Sequence, residues 1–447
     1  MQERWLMFES SQSMFQRGER YSPKNLFTPA ALLAGAPAEV FRGTVNSNAA
    51  LAKLLIDSNP YFANSPMGRN LSATAEAAEF FSRKHVRPKF EIDSVRIGGE
   101  DVPIRLRTID STPFCSLQNF ECAALKDAPK LLIYAPMSGH FATLLRGTVK
   151  TMLRRGFNVS ITDWNPINEV PLSAGPFDVS RYVNTVPRFL HAIGQGSHIL
   201  AVCQPVPLVM ASVATMYENK NRNVPLSMTL MAGPVNPHTN PTKVNELATN
   251  NSIEWFKDNC IGIVRHPHAG AGRLIYPGEL QLAAFVSMNQ NRHEQAFRDL
   301  VAALTDNDKD KINKIRTFYR EYLAVTDLSA PYYLGTIEQI FQKNALAAGT
   351  FTFTDSNGHV RRPDMRAITN TALLTVEGER DDICGIGQTQ AAQDLCSNIP
   401  PRFKLHHLQG GAGHLGVFDG RRWDEEISPI VANHIYAANA AHELGLH

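Results

Sequence analysis

Cys203, Asp381 and His414 are the residues whose types and order could do nucleophilic chemistry in this chain of 447 residues. A thiol becomes a strong nucleophile when an imidazole takes its proton or holds the thiolate as an ion pair. A carboxylate behind the imidazole fixes its tautomer and stabilises its cation. The product of attack on an acyl carbon would be an acyl group carried on sulfur. Each of the three residues stands where an apolar, strand-like run gives way to a loop. Cys203 ends the run that begins at Ser197, and only Gln204 and Pro205 separate it from a small, apolar, helically spaced stretch, Val206 to Tyr217. Asp381 lies in Glu377-Gly378-Glu379-Arg380-Asp381-Asp382 after the run Ala372 to Val376. His414 lies in Gly410-Gly411-Ala412-Gly413-His414-Leu415-Gly416 after the run Phe403 to Leu408.

A strand that stops at a nucleophile and passes at once into a helix is a nucleophile elbow. The usual elbow has glycine two residues to each side, whereas this chain has Ala201 and Pro205. By itself the pattern therefore fits a buried, inert cysteine as well as a reactive one. The order nucleophile, acid, histidine is that of the α/β-hydrolases, and three such loops in that order favour the reactive reading. Asp381, three residues past Gly378, is the expected acid, with Asp382 as the alternative. An oxyanion hole in this fold uses the amide after the nucleophile, here Gln204, and an amide from the loop after the Lys130 to Ala135 strand. In that loop, Ala135-Pro136-Met137-Ser138-Gly139-His140, Ser138 is the expected donor and Met137 the alternative.

Strand-like and helical periods alternate from about residue 90 to residue 234, which predicts a mostly parallel sheet with helices on both faces. The expected opening of that sheet is one antiparallel hairpin, with arms Phe90 to Ile97 and Val102 to Ile109 joined by Gly98-Gly99-Glu100-Asp101. The expected organisation is a helical extension over 1–88, a first core segment over 89–234, a helical cap inserted over 235–368 and a second core segment over 369–447. Trp5, Met7, Phe8, Met14 and Phe15 begin the extension, which is expected to pack on the main domain, with the alternative that this aromatic segment lies on an apolar surface.

Lysine and arginine number 44 against 42 aspartates and glutamates, so no global field favours nucleic acid. The N-terminus lacks a basic head followed by an apolar run, and no window has the length of a membrane span, which predicts a cytoplasmic protein. Six cysteines, at 115, 122, 203, 260, 384 and 396, are too sparse for a disulfide framework. His266-Pro267-His268 and His406-His407 lack the frame of a metal site, and no metal or organic cofactor is expected.

Leu132 to Val149 (LIYAPMSGHFATLLRGTV), Asp163-Trp164-Asn165-Pro166, Ala201-Val202-Cys203-Gln204-Pro205, Val376 to Cys384 (VEGERDDIC) and Gly410 to Trp423 (GGAGHLGVFDGRRW) together resemble the intracellular polyhydroxybutyrate depolymerases. These are cysteine-nucleophile α/β-hydrolases related to the polyhydroxyalkanoate synthases. The resemblance spans about residue 90 to the end and is thin over much of the cap. It implies hydrolysis of amorphous poly(3-hydroxybutyrate) at storage granules in the cytoplasm, with Cys203, Asp381 and His414 matching the family's triad. The residues flanking Cys203 agree with this family and separate the chain from the synthases, whose cysteine usually lies in a Gly-x-Cys-x-Gly box. Water is the implied acyl acceptor, and coenzyme A is an alternative because a thioester is activated toward both. Two other expectations stand beside this one: a synthase-like acyltransferase, and a granule-binding protein without turnover.

Overall fold

The computed structural model describes residues 36–288 and 290–446, which divide into two units. One is helical, made of described residues in 36–88, 258–260 and 278–325. Its longer helices are Ala36–Asp57, Pro66–Ser82, Gln290–Thr305 and Lys309–Tyr322. Pro66–Ser82 begins with a proline at its first turn, and the Ser65 hydroxyl accepts from the Gly68 amide at 3.0 Å, so the helix start is capped by its own sequence. Ala77, Phe80, Leu300 and Tyr319 form the buried centre of this unit. The aromatic segment from Trp5 to Phe15 lies outside the described residues.

The second unit, residues 89–257, 261–277 and 326–446, is built on an eight-stranded sheet. Its strands in chain order are β1 (Arg105–Ser111), β2 (Cys115–Glu121), β3 (Lys130–Tyr134), β4 (Asn158–Trp164), β5 (Ser197–Val202), β6 (Ser227–Met231), β7 (Ala372–Gly378) and β8 (Lys404–Gln409). In space they run β1-β2-β4-β3-β5-β6-β7-β8. β2 is antiparallel to β1 and β4, and the pairs from β4 to β8 are parallel. The strands β5, β6 and β7 are buried along their whole length, as parallel strands covered by helices on both faces must be, while β1 and β8 are exposed edges. One apolar cluster packs the Val179–Ile193 and Val206–Glu218 helices on one face of the sheet, and another packs the Arg146–Arg154 and Ser428–Glu443 helices on the other.

The opening of the sheet differs from the expected single hairpin. Ser94–Ile97 and Glu100–Pro103 pair only with each other, and Arg105–Ser111 turns away to join the main sheet beside β2. Pro103 has no amide to extend the small ladder, and the Ile104 amide instead closes on the Asp93 carbonyl at 2.9 Å. β2 itself carries no conspicuous apolar run in the sequence.

Register brings the site loops to one edge. Tyr134, Ala201, Leu230, Thr375 and His406 form one row across β3, β5, β6, β7 and β8. The segments carrying Ser138, Cys203, Gly233, Asp381 and His414 all leave the sheet beyond that row, at the carboxyl ends of parallel strands where ligands of such sheets bind.

Candidate active site

Cys203 has a φ of +66°, the left-handed conformation that a tight strand-to-helix turn demands and that a side chain adopts only under constraint. Its amide donates to the Met231 carbonyl at 2.8 Å, which extends the β5–β6 ladder up to the turn, and its carbonyl accepts from Val206 at 3.1 Å. The room that flanking glycines usually provide comes from another strand. A Cβ on Gly233, just past β6, would stand 2.2 Å from the Val206 Cβ and 2.8 Å from the Cys203 carbonyl oxygen. The elbow can therefore keep Ala201 and Pro205. Gly233→Ala is expected to destabilise the fold by about 1–3 kcal/mol through overpacking and to lower activity with it. Denaturant unfolding of the variant checks this.

Asp381 and His414 meet across two loops. The Asp381 side chain is buried, and its Oδ2 accepts from His414 Nδ1 at 2.8 Å. The other oxygen, Oδ1, accepts from the Ile383 and Cys384 amides, both at 2.9 Å. Both carboxylate oxygens are thus held by hydrogen-bond donors. Asp382, the alternative acid, is exposed. The two loops are fastened by the Arg380 amide to the Ala412 carbonyl at 2.8 Å and the Gly411 amide to Glu379 Oε2 at 2.7 Å. Gly378 permits the approach, since a Cβ there would stand 2.6 Å from the Ala412 carbonyl oxygen. The Phe418 ring stands edge-on to His414, with centroids 5.7 Å apart.

Burial disfavours the His414 cation, but the Asp381 charge, the Cys203 sulfur and hydrogen bonding to both outweigh it and carry the imidazole pKa well above its ordinary value. His414 thus bonds the acid and lies within electrostatic reach of the thiol. None of the six cysteines is in a disulfide, and Cys203 alone of them is not buried. Burial pushes the Cys384 thiol well up, with the Asp381 charge adding to it, and pushes Cys396 to about 12, so these two stay protonated.

The loop after β3 is held at its root. The Ala135 amide donates to Thr162 Oγ1 at 2.9 Å, the Ala135 carbonyl accepts from Trp164 Nε1 at 3.1 Å, and the Gly139 carbonyl accepts from Thr326 at 2.7 Å. This gives a physical role to Trp164 of the Asp163-Trp164-Asn165-Pro166 motif. Among the described residues the amides of Gln204, Met137 and Ser138 donate to no backbone carbonyl.

A brace that sequence reasoning missed lies under the elbow. Glu377, buried at the end of β7, accepts from the Gly387 amide at 2.8 Å, the Thr389 amide at 2.7 Å and the Gln390 amide at 2.9 Å. The Thr389 hydroxyl in turn accepts from the Gly233 amide at 2.8 Å and donates to the Gly233 carbonyl at 3.0 Å. Glu377 thus holds in place the glycine on which the Cys203 turn rests. A carboxylate near the end of a mostly apolar strand was the signal available in the sequence. The paired histidines serve the sheet edge: His406 Nδ1 bonds Thr375 Oγ1 and His407 Nε2 bonds Gln409 Oε1, each at 2.9 Å.

The strand order, the left-handed residue on the turn after β5 and the site loops at the carboxyl edge define an α/β-hydrolase. Residues 232–439 match the family model described as the PHB de-polymerase C-terminus. The chain is 22% identical over 318 residues to the poly(3-hydroxyalkanoate) polymerase subunit PhaC of Haloferax mediterranei, an alignment that takes in 69% of this chain and 58% of that protein. By these two matches the chain is similar, over the matched residues, to PHB de-polymerases and to a poly(3-hydroxyalkanoate) polymerase subunit. Solved structures with a similar chain course include the 2-hydroxy-6-oxo-6-phenylhexa-2,4-dienoate hydrolase of Rhodococcus sp. strain RHA1, at 12% identity and a TM-score of 0.41, covering 75% of this chain and 99% of that one. Another is a monoacylglycerol lipase of Paleococcus ferrophilus, at 11% identity and a TM-score of 0.38, covering 70% and 96%.

Proposed function

We propose that this protein cleaves ester bonds of poly(3-hydroxybutyrate) through an acyl group carried on Cys203. The observation that carries the reading is the His414–Asp381 pair, bonded at 2.8 Å, coupled to a cysteine held at positive φ on the strand-to-helix turn. In the proposed cycle the Cys203 sulfur attacks the ester carbonyl carbon while His414 holds the thiol proton. The carbonyl oxygen takes the developing charge toward the Gln204 and Ser138 amides. As the carbon–oxygen ester bond breaks, His414 gives that proton to the departing hydroxyl. Water then attacks the thioester, leaving one proton on His414 that returns to sulfur as the acid departs. Asp381 holds the imidazole tautomer and its cation throughout. These groups complete the cycle without a cofactor, and coenzyme A in the place of water would yield a new thioester.

Attachment to an apolar polymer surface belongs to the same reading. Leu51, Leu54 and Leu55 are exposed by 54%, 67% and 63% at helical spacing on Ala36–Asp57. No described helix is long and apolar enough to cross a membrane.

The similarity to a polymerase subunit favours a second reading, in which the same acyl-cysteine passes its acyl group to a growing chain's hydroxyl. The test is release of 3-hydroxybutyrate and its oligomers from native amorphous granules, with and without coenzyme A. Soluble product is expected from the wild type. Polymer formation from hydroxyacyl-coenzyme A without release from granules would overturn the depolymerase reading in favour of the second.

A further inference from the structure

The loop that follows β7 serves both ends of the site. Near its start the Ile383 and Cys384 amides donate to Asp381 Oδ1, each at 2.9 Å. Farther along, the Thr389 hydroxyl accepts from the Gly233 amide at 2.8 Å and donates to the Gly233 carbonyl at 3.0 Å. Cys384 joins the two ends, because its Sγ stands 3.6 Å from Thr389 Oγ1. Both Cys384 and Thr389 are buried.

The Thr389 hydroxyl has one proton and two lone pairs, and all three are used. The proton goes to the Gly233 carbonyl, one lone pair takes the Gly233 amide, and the other faces the protonated Cys384 thiol, which donates to it. The Thr389 amide is fixed in turn on Glu377 Oε1 at 2.7 Å. A clasp of this kind is needed where β6 ends. The Ala232 amide still reaches the Val376 carbonyl at 2.9 Å, but Ala232 has a φ of +48° and turns the chain out of the ladder. Gly233 comes next, buried, and its amide has the Thr389 hydroxyl as its acceptor. Ala232 and Cys203 are thus both left-handed at the ends of adjacent strands, a conformation that side-chain-bearing residues keep only where the surroundings over-determine it.

We propose that Thr389 is a positioning residue for the nucleophile: by clasping Gly233, its hydroxyl sets the height of Cys203 relative to the His414–Asp381 pair, and it does so from the acid's own loop. The inference rests on the acyl-cysteine reading above. A shift of Gly233 passes directly to the Cys203 carbonyl and the Val206 side chain, which leave no room beside it. The thiol and the Gln204 amide ride on that turn, whereas His414 stays with Asp381. Displacing a reacting group by about 1 Å costs on the order of 100-fold in rate. A loop that carries the acid and also holds the nucleophile's turn keeps the two in one frame.

The test compares wild type with three variants. Thr389→Val keeps the shape and loses the hydroxyl, Thr389→Ser keeps the hydroxyl, and Glu377→Gln loosens the hold on the Thr389 segment while retaining one acceptor oxygen. The readouts are kcat and KM on p-nitrophenyl 3-hydroxybutyrate, the rate of Cys203 alkylation by iodoacetamide at neutral pH, and Tm. Thr389→Val is expected to lose about 100-fold in kcat with KM nearly unchanged, and to slow alkylation, at temperatures where it is fully folded. Thr389→Ser should restore most of both rates. Glu377→Gln should lower both by about tenfold, the worth of one buried hydrogen bond. A fall in Tm alone, with kcat and alkylation at wild-type levels in the folded valine variant, would overturn the assignment, as would a serine variant as impaired as the valine one. If Thr389→Val does not fold, Glu377→Gln decides: slower kcat and alkylation support the assignment, and wild-type values of both overturn it. If the ester does not acylate Cys203 in the wild type, as read by mass spectrometry, the acyl-cysteine reading itself fails and this inference falls with it. That outcome is seen without any variant.

Discussion

Cys203→Ala is expected to reduce ester cleavage by about 10,000-fold or more, the scale on which removal of an attacking residue acts in covalent hydrolases. The fold should tolerate the change. Alanine also bears a Cβ, so the strain at a φ of +66° is the same in both proteins. The Cys203 amide keeps its bond to Met231, and the side chain is only half-buried. Rates on granules and on a soluble ester, together with the thermal midpoint of each protein, separate loss of chemistry from loss of fold. Stoichiometric alkylation provides an independent reading, because the other five thiols are buried and Cys203 is the accessible target. A variant that retains most of the wild-type rate would show that sulfur at this turn is not the nucleophile.

Asp381→Asn is expected to cost about 10,000-fold in kcat while leaving substrate binding nearly unchanged. The Asn oxygen can still accept from the Ile383 and Cys384 amides, so the loop geometry persists. The amide nitrogen then faces His414 as a donor, which forces the imidazole to carry its proton on Nε2, the nitrogen that must accept from the thiol. The change also has a signature in pH. His414 in the folded protein titrates well above the ordinary value: burial opposes its cation, and Asp381 followed by Cys203 outweighs that opposition. A raised folded pKa adds stability that is fully present below the unfolded value and is lost as pH rises through the folded one. The Tm difference between wild type and Asp381→Asn should therefore be largest at mildly acid pH and shrink as the solution becomes alkaline. A difference that grows with pH would contradict the ion pair. Thiol alkylation at neutral pH should also slow in the variant, since the imidazole that takes the thiol proton is held in the wrong tautomer.

The arrangement explains how a cysteine can serve at a turn with no flanking glycine. The steric demand of the elbow is real, because a Cβ at Gly233 would meet the Val206 side chain and the Cys203 carbonyl. It is met from the neighbouring strand, and Glu377 through Thr389 keeps that strand's exit where it is needed.

The places of Cys203, Asp381 and His414 at one edge of the sheet were legible in the sequence because each follows a run of strand-like residues by a short loop, and a parallel sheet brings all such loops to one edge. The fold class was legible for the same reason: the alternation of strand and helix leaves few ways to cover both faces of a sheet. β2 was not, since its buried positions alternate with half-exposed ones and only pairing with β1 and β4 makes it a strand. The single hairpin expected before it failed at Pro103, where one missing amide ends the ladder.

The residue types and order at the site follow from the chain by itself, because covalent connectivity and local periodicity place a residue at the end of a strand. Which carboxylate bonds His414 and which glycine makes room for the elbow were decided only by tertiary structure. Each depends on a distance of a few ångströms between segments far apart in sequence: Asp381 with His414, Gly233 with Val206. Close packing sets those distances, and no local pattern encodes them.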